Sequence, residues 1–134
     1  MSAEPRSPLR PGIDLIEIER LERALERRPR LAGRLFTDAE LAYAEGRRRP
    51  GRHLAARFAA KEAAIKALGG GVAPREVEVV SADGAPSLRL SERAARIAER
   101  RGVGLAVSLT HSRQLAAAVV TASPANDPRY PTAQ

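Results

Sequence analysis

Between Ala55 and Ala67 seven alanines fall within thirteen positions, a density that commits this part of the chain to a helix. Alanine loses no side-chain entropy on winding, and Gly69 stands where a helix takes its left-handed stop. At about 100° per residue, Leu54, Phe58, Ile65 and Leu68 form one stripe, the face expected to bury. Short alanine side chains let neighbouring elements come close to the axis. Glu62 and Lys66 lie one turn apart on the shoulder of that stripe. Spacing alone leaves two readings: an exposed i,i+4 ion pair worth about 0.3 kcal/mol, or a carboxylate and an ammonium at the edge of a packed core.

The rest of the 134-residue chain must be arranged around this helix, and the full length fits one domain that buries about 70% of its unfolded surface. The chain has no cysteine, so a metal would have to be held by oxygen or imidazole. No apolar run approaches the ~20 residues of a membrane span, and residues 1–11 lack the apolar core of a signal peptide. A cytoplasmic protein with no membrane partner is expected. The formal charge of +7 calls for an anionic partner, which charge alone leaves open among nucleic acid, an acidic protein and a phosphorylated small molecule. With two Phe, two Tyr and no Trp, the stacking platforms of a single-strand binder are largely missing.

Both ends, residues 1–10 and 123–134, are proline-bearing and aperiodic, and they read as disordered tails around a domain at 11–122. Ile13, Leu15, Ile16 and Ile18 suggest a strand opening into a helix, which Leu21 and Leu25 continue until Pro29. Thr37 and Glu40 make a capping box for a helix to about Glu45. A basic loop, 46–52, follows; its four arginines either hold phosphates or stay solvated. The long helix ends in Gly69, Gly70 and Gly71, a loop with no P-loop context. Residues 77–80 and 88–90 flank a turn signal at 82–86 and predict a hairpin. Ser91 caps a helix that Gly102 stops. Leu105, Val107, Leu109 and His111 alternate on one strand face, and a turn at 112–115 leads to a last strand at 116–121. This order predicts an α+β domain, a small and mostly antiparallel sheet packed on the long central helix.

Three motifs in order, Gly12-Ile13-Asp14, RFAAKEAAIKALG at 57–69 and VSLTHS at 107–112, resemble those of the holo-acyl-carrier-protein synthases, the small 4'-phosphopantetheinyl transferases. The resemblance spans roughly residues 11–121 and implies that family's fold. It also implies transfer of the 4'-phosphopantetheine arm of coenzyme A to a serine of apo acyl carrier protein, releasing adenosine 3',5'-bisphosphate. In that reading Asp14 and Glu62 are the two protein ligands of Mg2+ (Mn2+ being possible), most of whose shell is left to water and phosphate. Larger relatives carry a third acid two residues after the aspartate; Ile16 stands there, so two ligands are assigned.

The resemblance further places Lys66 at the coenzyme A pyrophosphate and the leaving group, Arg57 as a further phosphate contact, and His111 on the coenzyme, at its 3'-phosphate. Glu62 is the candidate base for the serine proton. Arg20 and, as a weaker match, Arg34 would dock the acidic carrier protein, and the sites would lie between subunits of a homotrimer. From the residues alone, Asp14 also reads as a turn cap, Arg57 as a solvated flank and His111 as a structural histidine. Two non-enzymatic readings stand beside the transferase: a basic nucleic-acid-binding domain and a module that binds an acidic protein. Against the first, no recognition-helix, zinc or RNP pattern is present and the arginines are interleaved with glutamates.

Overall fold

The computed structural model describes residues 9–82 and 84–129. Strand β1 (Arg10–Glu17) leads into helix α1 (Ile18–Arg27), the short α2 (Leu31–Leu35), α3 (Asp38–Glu45) and the long α4 (Pro50–Leu68). A 3-10 turn at Pro74–Glu76 opens the hairpin β2 (Val77–Ala82) and β3 (Ala85–Leu90). Helix α5 (Glu92–Arg101) and the hairpin β4 (Val103–His111) and β5 (Leu115–Pro124) complete the chain. The expected α+β architecture is present, with every strand pair antiparallel, but the strands form two sheets, one of order β1-β5-β4 and one of β2-β3. The first strand therefore pairs with the last, from Arg10 opposite Ala122 to Glu17 opposite Leu115.

Helix α4 is buried on more than the predicted stripe. Leu54 and Leu68 are buried as expected, but Phe58 and Ile65 are only half-buried, while all seven alanines from Ala55 to Ala67 are at most 2% exposed. Alanine, not the large residues, forms the contact surface, because strands can lie on it at backbone distance. Gly12 in β1 shows how close: a Cβ built there would stand 1.9 Å from the carbonyl oxygen of Ala63. Gly12→Ala should therefore push β1 off α4, costing about 1–3 kcal/mol in thermal unfolding and displacing Asp14. A variant with wild-type Tm and activity would contradict this account of the contact.

Caps follow the sequence closely. The Thr37–Glu40 capping box forms, Ser91 accepts from the Ala94 amide at 3.1 Å, and Gly69 and Gly102 close α4 and α5 in the left-handed region. Arg101 donates to the carbonyls of Leu68 and Gly70 and so satisfies the end of α4. The basic loop is shorter than expected, because Pro50 opens α4 and takes Gly51 and Arg52 into the helix. Its Arg49 sits at φ 49°, uncommon for a residue with a Cβ. The Arg49 guanidinium donates to the Arg113 carbonyl at 2.7 Å and Glu22 Oε1 at 3.0 Å, tying the loop to the β4–β5 turn and to α1. Arg49 is thus a structural tie, while Arg47 and Arg48 beside it stay exposed. At the C-terminal end β5 runs to Pro124, past the boundary drawn at 122, and the Ala125 amide bonds to the Gly102 carbonyl at 2.8 Å. The outer parts of both tails, 1–8 and 130–134, lie outside the described residues, as does Asp83 in the first hairpin turn.

One polar assembly is fully buried. The Lys61 ammonium meets Glu40 at 2.5 Å and donates to the carbonyls of Pro74 at 3.0 Å and Val77 at 2.8 Å. Glu40 also accepts from the amides of Thr37 at 2.9 Å and Val79 at 3.0 Å. Both side chains are 0% exposed, so α3, α4 and β2 are locked by charge-assisted hydrogen bonds inside the protein.

Candidate functional site

The close approach at Gly12 brings Asp14 on β1 to the side of α4 that carries Glu62 and Lys66. Lys66 Nζ donates to Asp14 Oδ1 at 3.1 Å and to the Ile13 carbonyl at 3.0 Å. Lys66 thus pairs across elements, and no ion pair joins it to Glu62 among the described residues. The simple i,i+4 surface pair is not what forms. Glu62 has its carboxyl pushed above the ordinary range, first by burial and then by the charge of Asp14, against the smaller pull of Lys66. Asp14 Oδ2 is buried without a hydrogen-bond partner among the described residues. A carboxyl held up by burial and by the charge of Asp14, an orphaned Asp14 oxygen and a lysine already used suit a hard divalent cation. No cluster of three or more His, Cys, Asp or Glu that could hold a metal occurs among the described residues, so the rest of such a shell would come from outside the protein.

A second group of predicted residues gathers elsewhere on α4. Arg57 is only 4% exposed, so it is no solvated flank. It donates to Ser81 Oγ on β2 at 3.0 Å and lies over the Tyr43 ring at 3.8 Å, whose ring Arg47 also covers at 4.0 Å. His53, one turn before Arg57, meets Tyr43 edge-on with ring centroids 6.0 Å apart and His111 likewise at 5.9 Å. His111 shares the strand alternation of Leu105, Val107 and Leu109 but, at the end of β4, it passes the edge of the core and is exposed. Tyr43, His53 and Ser81 were not legible as site residues. The one signal was that His53 and Arg57 share a helix face.

These two groups do not meet within one chain. Glu62 and His53 are nine residues apart on α4, about 13 Å along the axis and about half a turn around it. Asp14 belongs to β1 and His111 to β4, the two opposite edges of the three-stranded sheet. Arg20 stands apart from both, on the wall of a groove of about 410 Å³ with Leu15, Ile16, Leu21, Leu31 and Phe58. Arg34 lines a neighbouring hollow with Arg28, Arg30 and Leu31.

A carboxylate pair with a lysine, and a separate cationic corner beside the Tyr43 ring, are groups whose chemistry suits a phosphorylated substrate. The chain belongs to the 4'-phosphopantetheinyl transferase superfamily, whose model matches residues 10–120. Over 116 residues it is 51% identical to the holo-[acyl-carrier-protein] synthase of Moorella thermoacetica, spanning 83% of this chain and 91% of that protein. Its fold is similar to that of the holo-(acyl-carrier-protein) synthase from Bacillus anthracis in complex with CoA (3',5'-ADP), with a TM-score of 0.71, 33% identity and coverage of 86% and 96%. It is also similar to the Chronobacterium ammoniagenes ACPS–CoA complex, with a TM-score of 0.77, 32% identity and coverage of 88% and 98%.

Proposed function

We infer that the chain is a holo-[acyl-carrier-protein] synthase, moving 4'-phosphopantetheine from coenzyme A to a serine hydroxyl of apo acyl carrier protein. The observation that carries the reading is the meeting of Asp14 with Glu62 and Lys66 where β1 lies on α4. In the reaction the serine oxygen forms a bond to the β-phosphorus of coenzyme A, the pyrophosphate bond breaks, and adenosine 3',5'-bisphosphate leaves. Glu62, held above the ordinary carboxylate range, takes the serine proton. Lys66, fixed by Asp14 and the Ile13 carbonyl, sets a positive charge where the leaving oxygen becomes negative. Asp14 and Glu62 would hold Mg2+, or Mn2+, which when bound supplies charge neutralisation at the phosphate oxygens. Arg57 and His111 take the phosphates of the coenzyme.

The position of these two groups on opposite edges of the sheet favours sites completed by a neighbouring copy. The outer face of that sheet supports this, because Ile13 at 67%, Leu15 at 63% and Val119 at 41% exposure leave an apolar surface open. A homotrimer then juxtaposes the β1 edge of one copy and the β4 edge of the next, and light scattering should return three times 14.4 kDa. The transferase domain is the 11–122 unit with the end of β5, and the flanking tails are outside the machinery. The enzyme works in the cytoplasm, in fatty acid biosynthesis; among the described residues no helix is long and apolar enough to cross a membrane.

The test is intact mass. Protein, coenzyme A, Mg2+ and an apo acyl carrier protein should yield carrier heavier by one phosphopantetheine, and an unchanged carrier would refute the reading. Docking has its own prediction. The groove beside Arg20 offers an apolar floor and a cationic rim, which suits a helix of an acidic carrier, with Arg34 on the adjoining surface. Arg20→Ala should raise KM for the carrier about tenfold and leave KM for coenzyme A within twofold, and added salt should reproduce the effect as exposed charges are screened. Equal changes in both constants would remove Arg20 from the docking surface.

A further inference from the structure

The chain has two histidines, and both stand in the same place. His53 comes from the second turn of α4 and His111 from the end of β4, and their rings meet edge to face at 5.9 Å. The charges that act on His53 are cationic, and the one acid that reaches this corner, Glu40 of α3, bears on Arg57 while paired with Lys61. Arg47 approaches from the loop after α3, Arg52 and Arg57 from α4 itself and His111 from β4, while Tyr43 of α3 supplies an uncharged ring. The Nε atoms of Arg52 and Arg57 are buried and have no hydrogen-bond partner among the described residues. Cations gathered on one imidazole, with the acid that reaches Arg57 already paired to Lys61, make a receptor for an anion, and an imidazole is its pH-sensitive part.

We propose that His53 is the second imidazole of a two-histidine phosphate site, and that through it the coenzyme's phosphomonoester binds in a pH-dependent way. This rests on the transferase reading above, since it takes coenzyme A as the anion. A phosphomonoester approaches two negative charges near neutrality, whereas each pyrophosphate phosphorus carries one, so the monoester gains more from a second proton-bearing ring. In the free protein, burial and then the charge of Arg52, His111, Arg47 and Arg57 hold His53 below its ordinary midpoint, so it takes up a proton less readily than a free imidazole. A bound dianion reverses that balance and raises its proton affinity. By linkage, affinity for coenzyme A climbs as pH falls from the bound-state midpoint towards the low midpoint of free His53, and levels off below it.

The experiment is calorimetric titration of the wild-type protein with coenzyme A and with 3'-dephospho-coenzyme A between pH 5.5 and 8.5, repeated for His53→Phe and His53→Gln. Phe keeps a ring against Tyr43 and His111, and Gln keeps a hydrogen-bonding group without a charge. Both variants should lose about tenfold of the affinity gained by wild type on acidification, with little change at pH 8.5. The ligand's own ionisation is common to all three proteins and drops out of the comparison. Dephospho-coenzyme A should show no difference between variants and wild type. An unchanged pH slope in both variants would overturn the proposal, as would the same flattening with dephospho-coenzyme A, which places His53 on a different group. Wild-type protein that binds neither compound would instead overturn the transferase reading on which the proposal stands.

Discussion

Lys61→Met should destabilise the protein by about 3–5 kcal/mol and lower Tm by about 10–20 °C, far more than any surface substitution. Methionine matches the length and packing of the stem, so the loss is electrostatic: Glu40 is left without its counter-charge at 0% exposure, and the carbonyls of Pro74 and Val77 lose their donor. Removing both charges in Glu40→Leu/Lys61→Met should recover part of the loss. It should not recover all, because the amides of Thr37 and Val79 then lack their acceptor. Urea melts of the three proteins form the cycle that isolates the pair. A single variant within 1 kcal/mol of wild type would show that the pair is dispensable, contrary to the mutational experience behind that estimate.

At the carboxylate pair the expected effect is on chemistry rather than stability. Asp14→Asn and Glu62→Gln should each reduce phosphopantetheine transfer about 10²–10³-fold, measured by carrier mass at saturating substrates. Neither should melt earlier than wild type in metal-free buffer. The sign follows from Glu62: its folded midpoint is raised, so the stability it contributes is complete below the unfolded midpoint and is lost as pH rises through the folded one. At neutral pH an ionised Glu62 is therefore a burden on the metal-free fold, and glutamine relieves it. Carboxyl-carbon NMR titration should find Glu62 above the ordinary range and closer to it in Asp14→Asn, where part of the repulsion is gone. An ordinary midpoint in wild type, or none of this shift in the variant, would separate the two acids in space. Chelation of divalent ions should abolish transfer and Mg2+ should restore it.

What was legible in the sequence was local. The capping box at Thr37, the glycine stops of α4 and α5, both hairpins and the long helix each depend on a few adjacent residues, and each is present, though α4 begins earlier and β5 ends later than expected. Asp14, Glu62 and Lys66 could be named because their motifs resemble those of one family, and their convergence depends on Gly12, which shares the motif of Asp14. What stayed hidden was non-local. Glu40 reads as a helix cap, and nothing adjacent to it in the chain announces that the same carboxylate neutralises Lys61 inside the protein. The division into two sheets and the pairing of β1 with β5 join residues about a hundred positions apart. His53 was invisible because its meaning comes from His111, which arrives on another strand.

The β1–β5 pairing also sets an order of events during synthesis. Strand β1 is made first and carries Asp14, yet its hydrogen-bonding neighbour is the last strand of the described chain, ending at Pro124. Until β5 leaves the ribosome, β1 has no ladder and β4 lacks the partner that joins it to β1. The alanine surface of α4 is then open to any strand that can reach it. The nascent chain is thus most exposed to mispairing late, after the helix that organises it is complete, and a message truncated within the last strand yields a product with every proposed catalytic residue and no platform to hold them.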